Sequence, residues 1–76
     1  GGDDMSKTVF RGTSLAGQRE REAHVYIVND RIVIGIADGR GRILDVVSLD
    51  PDMAEGLAAS LTDRVADLRT EREATT

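Results

Sequence analysis

The residues best suited to chemistry lie in one turn-like stretch, Asp38-Gly39-Arg40-Gly41-Arg42. Glycines let a backbone approach a phosphate, and arginine grips phosphate or carboxylate through a planar fork of donors. The stretch lacks the G-x-x-x-x-G-K-S/T spacing of a nucleotide-binding loop, and it leads into a strand instead of a helix. Hairpin corners demand glycine in any case. The reading is therefore a sheet corner that exposes Arg40, with contact to an anionic surface as its chemical potential. Arg31 and Arg42 join Arg40 as candidate partner-binding residues on the hairpins.

The remaining chemistry is sparse. His24 is the single imidazole, and it reads as a partly buried strand histidine in preference to a general base. Ser6, Ser14, Ser48 and Ser60 have no base pattern near them and no nucleophile-elbow motif. Asp45 sits among aliphatics, where an ion pair with Arg31 or Arg42 accounts for it better than catalysis. Asp50, Asp52 and Glu55 lie close together but lack the glycine-centred spacing of a calcium loop, and helix capping explains them. With no cysteine and one histidine, thiolate and histidine-cluster metal sites are excluded. No cofactor and no catalytic residue are expected, so the chain reads as a non-enzyme.

Those residues must be positioned by 76 residues, enough for one small domain. Domains of this size bury little of their surface and usually need a staple. Without cysteines or metal ligands, self-association is the expected one. The composition, 39% apolar and 32% charged, is that of a folded, soluble chain, and no apolar run reaches the roughly 20 residues of a membrane span. Residues 1–4 read as an expression remnant ahead of a natural Met5, residues 5–73 as one domain, and residues 74–76 as a frayed tail. No secretory leader is seen, and a cytoplasmic location is expected.

The formal net charge of −4 disfavours general phosphate binding. It is unevenly spread. Met5 to Leu49 holds seven Lys/Arg against five Asp/Glu, and Asp50 to Thr76 holds three against seven. Phe10 and Tyr26 are the only aromatics, too few for a stacking platform.

The elements follow from periodicity. Lys7 to Thr13 favours a strand, and Ser14 to Gln18 a connector. The alternating charges of Arg19 to Glu22 read as the solvated start of a second strand that continues to Val28. Asn29-Asp30 between two apolar runs predicts a two-residue hairpin, with Arg31 to Ala37 returning as the third strand. That turn pairs Val28 with Arg31, Ile27 with Ile32, Tyr26 with Val33 and Val25 with Ile34. One face then carries Ala23, Val25, Ile27, Ile32, Ile34 and Ile36, and the other His24, Tyr26, Val28, Arg31, Val33 and Gly35. Arg42 to Leu49 is the fourth strand. A three-residue loop would put Leu44 and Val46 on the isoleucine face and Ile43, Asp45, Val47 and Leu49 on the other. A loop of two or four residues would reverse this, and the alternatives stay open.

Asp50 then caps a helix with Pro51 at its first position. Met53, Leu57, Leu61, Val65 and Leu68 make one apolar stripe, and charged residues such as Glu55, Asp63 and Asp67 face away. The helix should fade near Arg72.

The segment VVSLDPDMAEGLAASLTDRVADL, Val46 to Leu68, resembles the closing segment of small actinobacterial and actinobacteriophage proteins, in which a strand ends in a Leu-Asp-Pro step before an Ala/Leu-rich helix. The resemblance covers about a third of the chain. It implies no activity and no site residue, and it favours a phage or bacterial accessory protein acting by contact.

The expected fold is α+β: an antiparallel meander of three to four strands with one C-terminal amphipathic helix packed on one face, working as a homodimer. His24, Tyr26, Val28, Val33 and Val47 are the expected dimer interface, because the helix can cover only one face. The expected function is protein interaction with an unidentified partner protein. The alternative is a nucleic-acid-binding regulator using Arg31, Arg40 and Arg42 as a ribbon. A ligand site or enzyme built across a dimer interface ranks third.

Overall fold

Tight turns cut the chain into short strands before the helix begins. The computed structural model describes residues 7–75; residues 1–4, read from the sequence as an expression remnant, and Met5, Ser6 and Thr76 lie outside them. The elements are β1 (Thr8–Thr13), β2 (Glu20–Val28), β3 (Arg31–Asp38), β4 (Ile43–Leu49) and α1 (Pro51–Thr75). The strands form one antiparallel sheet in the order β1-β2-β3-β4, so the fold is the α+β meander with a C-terminal helix that the pattern predicts.

The central hairpin is as the alternation requires. Asn29 and Asp30 both take positive φ, 48° and 65°, which matches the strand twist in a two-residue turn. Val28 pairs with Arg31, Ile27 with Ile32, Tyr26 with Val33 and Val25 with Ile34.

The β3–β4 corner is a three-residue loop, but its consequence differs from the simple expectation. The Asp38 amide donates to the Arg42 carbonyl (2.9 Å) and the Gly41 amide to the Asp38 carbonyl (3.0 Å). Gly41 has φ +86°, a conformation that favours glycine. Past the loop, Ala37 pairs with Ile43 but Ile36 pairs with Asp45. Leu44 is therefore an extra residue, a β-bulge, and every later residue of β4 changes face. Ile34 opposes Val47 and Ile32 opposes Leu49, while Val46 and Ser48 oppose Gly35 and Val33. Val47 and Asp45 thus lie on the isoleucine face, not beside His24 and Tyr26 as a bulge-free ladder would have them.

The two faces are buried unequally. Every residue of the sheet classed as buried, His24, Val33, Gly35 and Ala37, lies on the His24 face. Val46 and Ile43 close over Gly35, with Val46 Cγ1 only 3.2 Å from where a Cβ would stand. On the isoleucine face nothing is buried, and Phe10 (59%), Ile27 (54%) and Val47 (49%) are open.

The helix starts as predicted. The Asp50 carboxylate accepts from the Met53 amide at 2.8 Å, and the Asp50 carbonyl accepts from the Ala54 amide at 3.0 Å. It continues beyond Arg72 to Thr75, because Glu71, Arg72, Glu73 and Ala74 are all good helix formers. It does not pack across a sheet face. It touches only β3 and β4, and its stripe stays exposed, Leu61 at 58%. The reason is the connector: only Asp50 separates β4 from α1, and Asp50 and Pro51 are both fixed by the cap. Connections that return a helix onto its own sheet are commonly longer, about 2–6 residues.

The resulting shape is open. The radius of gyration is 14.8 Å, against about 11 Å for a compact domain of this length.

Candidate functional site

The turn that looked like a binding loop is filled by its own acid. Asp38 Oδ1 accepts from the Arg40 amide and from the Arg42 amide, each at 2.9 Å. The Arg42 amide first, then the Arg40 amide, hold the Asp38 carboxyl below its usual 3.8, helped by the charges of Arg42 and Arg21. The donors that a phosphate would need are thus turned inward. Gly39 is required for a different reason. A Cβ there would stand 2.8 Å from Glu20 Oε2 and 3.0 Å from Glu20 Cβ. What the loop offers outward is the exposed Arg40 side chain.

The three candidate arginines do not share a surface. In a meander the β1–β2 and β3–β4 turns lie at one end, and the β2–β3 turn lies at the other. Arg40 and Arg42 are at the first end and Arg31 at the second. Arg31 is also engaged, since its Nε donates to Ser48 Oγ (2.6 Å) and its Nη2 to the Ser48 carbonyl (3.2 Å). Asp45 pairs with neither arginine: its Oδ1 accepts from the Val46 amide at 2.9 Å, next to the bulge.

The fold gathers other arginines around Arg40 and Arg42. Arg19 sits in the β1–β2 turn, whose Ser14 hydroxyl accepts from the Arg19 amide at 3.0 Å. Arg21 pairs with Asp38 across the β2–β3 ladder, and Arg11 pairs with Glu22 across β1–β2. A cleft of about 290 Å³ opens here, lined by Arg11, Gly12, Thr13, Glu20, Arg21, Glu22 and Gly39. Its walls carry both signs, which suits a polar protein surface better than a polyanion.

His24 is a buried structural partner. It is 4% exposed, with Nε2 2.8 Å from Glu22 Oε1, and Arg11 Nε stands 3.8 Å from the other Glu22 oxygen. Its Nδ1 is buried without a partner, which fits the tautomer that carries its proton on Nε2 and leaves Nδ1 an acceptor. Period-2 spacing of Glu22 and His24 is the signal for this pair; Arg11 becomes visible only once the β1 register is known. Among the described residues no group of acidic and histidine side chains is placed to hold a metal ion.

The expected interface set also divides. Val33 is buried within its own chain at 8%, as His24 is. Tyr26 is half-buried, with Lys7 Nζ 5.9 Å from its ring centre. Val28 is exposed at the β2–β3 tip, and Val47 is on the opposite face. The apolar surface with no buried residue is the isoleucine face together with the helix stripe, while Val9, Ile43 and Val46 at the margins of the His24 face are also exposed.

Compared with known proteins, the chain matches no family model, no curated protein and no solved structure at a significant level. The fold defines the class: an antiparallel four-stranded meander followed by a projecting helix, with two apolar surfaces left open. No described helix is long and apolar enough to cross a membrane.

Proposed function

We propose that this chain is a non-enzymatic interaction protein that acts as a homodimer in the cytoplasm, binding a partner protein through the arginine-bearing end of its sheet. The observation that carries the reading is the pair of uncovered apolar surfaces, the isoleucine face and the helix stripe. Apolar surface on this scale, rimmed by charge, marks protein contact. The arginine end supplies a separate, polar contact region with Arg40 at its tip, suited to an acidic partner surface. The resemblance of Val46 to Leu68 to actinobacterial and phage proteins supports a bacterial or phage accessory role.

The test is capture of partners from a bacterial lysate with three baits. The unaltered protein should retain an acidic protein, Arg40→Glu/Arg42→Glu should lose it, and Arg31→Ala, altered at the other end, should keep it. Retention by all three baits, or by none, overturns the assignment of the contact region. Salt-sensitive binding of mixed-sequence DNA, lost in Arg40→Glu/Arg42→Glu, would establish the nucleic-acid reading instead, which the five arginines gathered at one end favour.

A further inference from the structure

Resting on the homodimer reading, we propose that two copies exchange their C-terminal helices. The stripe Met53, Leu57, Leu61, Val65 and Leu68 of each copy lies across the isoleucine face of the other.

Four observations lead there. First, the helix does not cover its own sheet, and the single residue Asp50 joins it to β4 under a cap. Second, the two open surfaces match in size. The stripe spans about 22 Å at 1.5 Å per residue, close to the length of the eight-residue β3 at 3.3 Å per residue, about 26 Å. Third, the charges are complementary. Met5 to Leu49 holds seven Lys/Arg against five Asp/Glu and Asp50 to Thr76 three against seven, so a helix laid on a second sheet meets a half of opposite net sign.

Fourth, the area is right. The chain exposes 6450 Å², whereas a folded monomer of 8.2 kDa exposes about 4500 Å². The excess, about 1,900 Å² per copy, leaves enough open surface for an interface in the range of about 2,000–5,000 Å² found in obligate dimers. Reciprocal exchange doubles each contact through a two-fold axis and closes the assembly at two. A helix–helix pairing alone would leave both isoleucine faces open, and a sheet–sheet pairing would leave both stripes open.

The absence of native cysteine makes cross-linking decisive. Ile34→Cys is prepared separately from Leu57→Cys, Leu61→Cys and Val65→Cys. Each helix variant is mixed with the sheet variant, unfolded and refolded together, and oxidised, with circular dichroism confirming the fold. A disulfide-linked mixed dimer from at least one helix position is expected. A dimer in which none of the three helix cysteines bonds to Cys at 34 overturns the exchange and leaves the homodimer standing. An Ile34→Cys/Leu61→Cys double variant that closes its disulfide within a monomer also overturns it. Sedimentation showing monomer alone at high concentration removes the homodimer and the exchange together.

Discussion

Asp38 fills with its own carboxylate the place that a bound anion would take in a glycine-rich loop. Asp38→Ala should free the Arg40 and Arg42 amides, and their hydrogen exchange should speed up relative to the rest of the sheet. Acid should do the same. The folded carboxyl is held below 3.8, so its contribution is complete above that value and is lost as pH falls through the lower folded one. An NMR titration should show the two amides shifting with a midpoint under 3.8, and Asp38→Asn should abolish that step. His24 belongs to the same scale. His24→Ala leaves Glu22 without its close partner in a side chain that is 14% exposed. The expected loss is about 2 kcal/mol in urea unfolding.

Among the elements, α1 carries a correctable weakness. A Cβ at Gly56 would meet nothing within 4 Å, so Gly56→Ala should stabilise by about 1 kcal/mol and raise the melting temperature. The central hairpin was legible in sequence because two facts agreed: strict alternation on both sides, and an Asn-Asp pair able to take positive φ. The sidedness of β4 was not legible. Leu44 has no local mark that distinguishes a bulged leucine from a paired one, and loop length alone predicts the wrong face. The helix was legible in its cap and stripe but not in its destination, which depends on the geometry of the one residue before it. Arg40 could be placed at an exposed tip from the glycines around it. Its neighbours Arg11, Arg19 and Arg21 emerge only when strand directions are followed, and those same directions separate Arg31 from it.

For the whole molecule, the proposed homodimer ties stability to concentration. If the stripe and the isoleucine face are covered by a second copy, the melting temperature should rise with protein concentration. Differential scanning calorimetry over a hundredfold dilution series checks this, and a concentration-independent transition would mean that the chain is stable alone. On the proposed homodimer, Leu61→Asp should lower the melting temperature most at high concentration and least at high dilution.

The bulge at Leu44 has a directional consequence. A strand turns its sides over with every residue added or removed, and here the strand is bolted to the helix through one capped joint. Leu44 therefore acts as the rudder of α1. Deleting it would leave the hairpin tip intact and roll the end of β4 by half a revolution. The helix would then leave from the other side of the sheet. Such a deletion should keep the strand signature in circular dichroism and, on the proposed homodimer, abolish self-association, making a steering error out of what looks like a conservative trim.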